Sequence, residues 1–219
     1  MTRFAVYGVP GIDPGAPAIA RRLREAAHAW YDRHPAITVD PRRYGFHATL
    51  KAPFALASGI RPDDLEQAVE AFAAERAPVV LSAVRPAVIG SFRALVPTGD
   101  QHGIDALAAD VVRAFEPLRA PLADADIARR RPELLTERQR EILHEVGYPY
   151  ALDEFRCHLT LTDALDGHVD PAAVDAAIAE HFADIAGADI PLTALAICIE
   201  PAPGRPFDVH SIHPFLEIS

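Results

Sequence analysis

The chain has 219 residues, 50% of them hydrophobic and 24% charged, enough apolar side chain to bury a sizeable core, which excludes a disordered chain. Its formal net charge of −10 excludes a protein whose whole surface grips nucleic acid, since that needs a broad basic field; a local basic pocket stays open. Cys157 and Cys198 are too few for a disulfide framework, and both lie in apolar strand-like segments, where buried thiols in a reducing compartment are the expectation.

The opening "MTRFAVYGVPGIDPG" lacks a basic segment followed by a long apolar one, and no run approaches the roughly 18 apolar residues of a membrane helix. The expectation is a cytoplasmic protein with no membrane partner. Phe4 to Val9 reads as a strand stopped by Pro10 and Gly11. Ile19, Leu23, Ala27 and Trp30 then form a helical stripe that ends at Pro35. The strand "FHATLKAP" follows, then a helix opened by Pro62 and Asp63 with Leu65, Val69 and Phe72 on one face, then short strands at "PVVLSAV", "AVIG" and "FRALVP".

Ile104, Leu107, Val111 and Phe115 set a helix in "GIDALAADVVRAF". Thr136 and Gln139 form a capping box before "ERQREILHEV", which Gly147 and Pro149 close. The strand "FRCHLTLTDA" is followed by a helix from about Asp170 to Phe182, a long strand "LTALAICIE" and a last strand within "PFDVHSIHPFLEI". The two histidine-bearing strands are 158 − 47 = 111 positions apart and the prolines opening the helices after them 171 − 62 = 109, a weak internal repeat. No flexible linker divides the halves, so residues 1–219 are expected to form one compact two-lobed domain.

Both repeated strands carry His-x-Thr-Leu. With 10 His, 8 Thr and 19 Leu in 219 positions, chance supplies on the order of 0.03 such matches. Residues i and i+2 of a strand face one way, so His47 projects with Thr49, and His158 with Thr160, while Leu159 and Leu161 back onto the core. Either motif alone reads equally as a half-buried strand histidine bonded to its threonine; the recurrence points to function. Two imidazoles near pKa 6.5 can hold opposite protonation states, one taking a proton as the other gives one, and the hydroxyls can donate to phosphoryl oxygens as phosphorus becomes five-coordinate. Zinc would normally require a third protein ligand, and neither motif supplies one at typical spacing. No metal and no cofactor is therefore expected.

Two such motifs half a chain apart resemble the two-histidine (2H) phosphoesterase superfamily. The wider wording "RRYGFHATLKAPF", "LRAPL", "ARRRPELLTERQ", "GYPY" and "DEFRCHLTLT" is similar to its phosphonate-metabolism branch, found with carbon-phosphorus lyase operons. That resemblance implies an α+β, bilobal fold of two antiparallel sheets with flanking helices, a central cleft and a pseudo-two-fold. It also implies His47, Thr49, His158 and Thr160 as the catalytic set.

Lys51 and Arg156 share the faces of the two motifs and are candidates to approach a bound phosphate, with ordinary surface charge as the alternative. Tyr150 is a candidate for stacking on a base or sugar. The "ARRRP" run at 128–132 reads as a solvated face. The leading function is a metal-independent phosphoesterase that opens a small cyclic phosphodiester, with a small phosphorylated molecule as partner and the oligomeric state open. The alternatives are an RNA-terminal 2′,3′-cyclic phosphodiesterase and a non-catalytic phosphometabolite-binding protein.

Overall fold

A computed structural model describes every residue except 1, 166, 168 and 217–219; the end of the segment predicted as the last strand lies outside the described residues. In chain order the elements are β1 (Arg3–Gly8), α1 (Ala18–Arg33), α2 (Val39–Tyr44), β2 (Ala48–Phe54), α3 (Pro62–Ala74), β3 (Val79–Ile89), β4 (Phe92–Val96), α4 (His102–Phe115), α5 (Asp124–Arg129), α6 (Glu137–Val146), β5 (Leu159–Thr160), α7 (Pro171–His181), β6 (Ala188–Leu192), β7 (Ala194–Glu200) and β8 (Asp208–Pro214).

The fold is α+β. Its strands run β6-β3-β4-β5-β2-β1-β7-β8, every pair antiparallel. The two expected sheets are thus two four-stranded halves joined edge to edge by β5 and β2 into one sheet. The halves match outward from that seam: a motif strand, then β4 or β1, then β3 or β7, then an edge. A helix follows each motif strand, α3 after β2 and α7 after β5.

One face of the sheet carries the main core. Leu23, Ala27 and Trp30 of α1, Leu65 and Val69 of α3, and Ile104, Val111 and Phe115 of α4 pack there against Leu50, Leu95 and Leu159. The predicted stripes of α1, α3 and α4 are the ones buried, as a 3.6-residue period requires of a helix lying on a sheet. Across the sheet a smaller cluster of Ala5, Tyr7, Val9, Ala196, Cys198 and Phe207 leaves the middle of that face for polar groups.

The structure differs from the sequence reading at three places. "PVVLSAV" and "AVIG" are one strand, because a register irregularity between Leu81 and Val84, with Ala83 at φ 51°, breaks the alternation without ending the ladder. "LTALAICIE" instead splits at Thr193 into the end of β6 and all of β7. The second motif strand shrinks to two residues. Among the described residues no helix is long and apolar enough to cross a membrane.

Candidate active site

Ala48 pairs with Leu159 across the seam. In an antiparallel ladder that register sets His47 opposite Thr160 and Thr49 opposite His158. The two histidines become diagonal neighbours on one face, a relation that spans about 7–8 Å between strands. Ala48 and Leu159 point to the core, so all four motif side chains face away from it.

Each ring is oriented in the same way. His47 donates Nδ1–H to the carbonyl of Gly45 at 2.8 Å, and His158 donates Nδ1–H to the carbonyl of Arg156 at 2.8 Å. A carbonyl can only accept, so Nδ1 holds the proton in both rings and Nε2 is turned into the site. On His47, Nε2 accepts from the Thr49 hydroxyl at 3.0 Å. Gly45, at φ 77°, takes the left-handed turn between α2 and the motif, a conformation that glycine adopts without a Cβ clash.

His47 also stacks on Tyr7, with ring centroids 3.7 Å apart and planes 19° from parallel. The residue keeps some contact with solvent, but the packing strips away most of the ring's water. That burial pushes its pKa down to about 4, the nearby His158 adds to the effect, and the Gly45 hydrogen bond opposes it.

The short β5 is held from outside the ladder. Trp30 Nε1 donates to the Leu161 carbonyl at 3.0 Å and the Tyr31 hydroxyl to the Thr160 carbonyl at 2.6 Å. Asp163, just past the second motif, accepts from the amides of Val39 and Asp40 at 2.8 and 2.9 Å. Those are the first amides of α2, which need acceptors and which lead into the first motif. Each motif is thereby fastened to the flank of the other.

Two adjoining cavities open over the four side chains. One, about 470 Å³, is lined by Thr49, Phe92, Tyr148, Tyr150, Arg156 and His158. The other, about 510 Å³, includes Tyr7, Arg43, His47, Thr49, Arg130 and Thr160 in its wall. Thr49 and Tyr148 line both. Among the described residues no group of three or more His, Cys, Asp or Glu is placed to hold a metal ion.

The cavities therefore bring together His47, Thr49, His158, Thr160, Arg156 and Tyr150. Lys51 is the correction. Tyr7 pairs with Thr49 but its neighbour Val6 pairs with Lys51, so β2 holds one extra residue there, and this bulge turns Lys51 to the face opposite Thr49. It is buried against Glu116, 2.9 Å away, and does not reach the cavities. The sequence reading missed Tyr7, Arg3, Arg43 and Arg130. The signal for the last was present in "ARRRP": Arg129 and Arg130 both line the second cavity.

The family described as "Protein of unknown function (DUF1045)" matches residues 49–208, taking in Thr49, His158 and Thr160. The chain belongs to the DUF1045 family. It is 38% identical over 231 residues to the ribose 1,5-bisphosphate phosphokinase PhnN of Janthinobacterium sp. (strain Marseille), covering 94% of this chain and 49% of that protein. To the protein of the same name from Laribacter hongkongensis it is 36% identical, covering 75% of this chain and 38% of that one. This DUF1045 chain thus spans about half the length, or less, of the curated relatives it matches. Among solved structures, E. coli LigT complexed with NADP+ is similar at a TM-score of 0.48 with 12% identity, over 99% of this chain and 98% of that one. A phosphoesterase crystal structure is similar at 0.49 with 13% identity, over 99% of both chains.

Proposed function

We propose that this DUF1045 chain is a metal-independent phosphoesterase that opens a small cyclic phosphodiester. What supports the reading is the seam register, which makes His47 and His158 diagonal neighbours on one face with a threonine opposite each. His47, held neutral by its low pKa, is the base that takes a proton from the attacking water. His158, when protonated, is the acid that hands one to the departing ring oxygen. One P–O bond forms to water as another breaks to the ring oxygen, and a phosphate monoester results. On substrate binding Thr49 turns its one hydroxyl proton from His47 Nε2 to a non-bridging oxygen, freeing Nε2 for the water, and Thr160 donates to the other as charge builds on them.

The kinase activity in the relatives' name goes, in this reading, with the part of those proteins that this chain does not match. Its only lysine is Lys51, which is buried against Glu116, so no lysine is free to serve a nucleotide-phosphate loop. Opening a cyclic phosphate on ribose makes a ribose phosphate, the class of compound that the relatives' name mentions, and a place in phosphonate breakdown suits that product.

A 2′,3′-cyclic end of RNA is the second reading, favoured by Phe92, Tyr148 and Tyr150 in the wall beside His158, since aromatic rings stack on any base. The deciding experiment is a panel of small cyclic phosphates and cyclic-ended oligoribonucleotides followed by phosphorus NMR. Turnover of the small substrates that disappears in His47→Ala and His158→Ala supports the first reading. Faster turnover of the oligonucleotides supports the second, and turnover of none leaves a phosphometabolite-binding protein.

A further inference from the structure

The cavity beside His47 holds more positive charge than one phosphate requires. Arg3, Arg43, Arg129 and Arg130 all line it. Arg129 is committed to Asp126 at 2.8 Å. Arg3 and Arg43 grip the two carboxylate oxygens of Glu200, at 2.5 and 2.9 Å, and Glu200 is wholly buried. One carboxylate thus orients two guanidinium groups and neutralises one; the exposed Asp40 stands 3.6 Å from Arg43. Burial alone would raise the Glu200 pKa, but Arg3, Arg43 and the Gly204 amide together hold it down to about 2, so it stays ionised as their anchor.

Arg130 differs from these. Among the described residues no acidic side chain pairs with it; its guanidinium lies 4.9 Å above the Tyr148 ring. Arg43 lies similarly over Tyr44, at 4.7 Å. A guanidinium held over a ring has a fork of N–H donors that can still take an anion through two bonds at once. In a chain of net charge −10, a half-buried arginine without an acid beside two that share one is a site short of an anion.

We propose that this cavity is a second anion subsite: Arg130, with the Glu200-anchored Arg3 and Arg43, binds a phosphate monoester on the same small molecule whose cyclic phosphate sits between the histidines. The inference rests on the phosphoesterase reading for the first phosphate and extends it. The substrate class becomes a small sugar or nucleoside with two phosphate groups, one cyclic and one terminal.

The test is calorimetry with adenosine 3′,5′-bisphosphate against adenosine 3′-monophosphate. The wild-type chain should bind the bisphosphate at least about tenfold tighter, the worth of one charge-assisted pair. Arg130→Gln should cut that preference to about twofold or less, and Arg130→Lys should restore part of it. Equal affinity for the two, binding of neither, or a preference that survives Arg130→Gln overturns the proposal. So does tighter binding of a cyclic-ended oligoribonucleotide than of the bisphosphate, which would give the arginines to an RNA backbone. If Arg130→Gln does not fold, the wild-type ratio decides alone. A chain with the Arg130-dependent preference but no turnover of any cyclic phosphate keeps the subsite and loses the enzymatic reading; turnover without the preference does the reverse.

Discussion

Tyr7 lies face to face with His47, 3.7 Å between ring centroids, while the Gly45 carbonyl holds the same imidazole by its Nδ1–H. Stacking fixes the plane of the ring and the hydrogen bond fixes its rotation within that plane. Tyr7→Leu, which fills much of the space but gives no flat surface, should therefore lower turnover of a cyclic phosphate by up to about 100-fold, the cost of a misplaced reacting group. Tyr7→Phe keeps the ring and should keep the activity. Steady-state kinetics on the two variants, with melting curves to set aside stability losses, makes the comparison.

Replacing His47 or His158 by alanine should lower turnover by about 10²- to 10⁴-fold with the fold intact. The double variant should fall by much less than the product of the two single losses, since groups acting in one step are not additive. A folded single variant that works at the wild-type rate contradicts the two-histidine mechanism.

The titration of His47 should be displaced to acid. Its folded pKa of about 4 lies below the ordinary value near 6.5, so the unfolded chain takes up a proton at this site before the folded one does. Stability from this group is present above about pH 6.5 and declines as pH falls toward 4. Proton NMR of the imidazole should place its midpoint well below 6.5, and His158→Ala should raise it by removing one of the depressing influences, the neighbouring imidazole.

Lys51 should matter to stability and not to binding. Burial lowers its pKa even though Glu116 pulls the other way, so removing the carboxylate strands a buried ammonium. Glu116→Gln should cost about 3 kcal/mol in urea unfolding, toward the low end for a broken buried pair because Glu116 keeps a quarter of its side chain exposed. Lys51→Met with Glu116→Gln should recover part of that loss, the rest belonging to Arg119, which grips the same carboxylate at 2.6 Å, and affinity for inorganic phosphate should not follow either change.

Activity should survive exhaustive treatment with EDTA, because two histidines and two hydroxyls are sufficient for the proposed steps. Loss of turnover that zinc or manganese restores would assign the chemistry to a metal instead.

The helices and the pairing of motifs were legible because period and repetition are properties of the sequence itself: Leu65, Val69 and Phe72 face the core as their spacing requires. Lys51 was not legible. The alternation rule that placed it beside Thr49 assumes an unbroken ladder, and a bulge changes the face of every later residue without marking the sequence. Arg3 and Arg43 were hidden for another reason, since their partner Glu200 is nearly 200 positions from one and 157 from the other. The return of β7 alongside β1 brings Glu200 to Arg3, and the packing of α2 brings Arg43 to the same carboxylate. Arg130 stands within a run of arginines whose charge pattern is that of any solvated turn.

The strand that presents His158 has two residues of ladder and only Ala48–Leu159 as its register pair with β2; it is held instead by Trp30, Tyr31 and Asp163 and, just past Thr160, by bonds of Leu161 and Thr162 to Arg93 of β4. The reacting groups therefore straddle the narrowest joint in the sheet, where a small parting of β5 from β2 would separate proton donor from acceptor before either half lost its core. Mild denaturant should silence such a joint early, so that turnover fades at concentrations where the tryptophan and the helices still report a folded chain. The site would then act as the molecule's own strain gauge, reading the closure of its two halves.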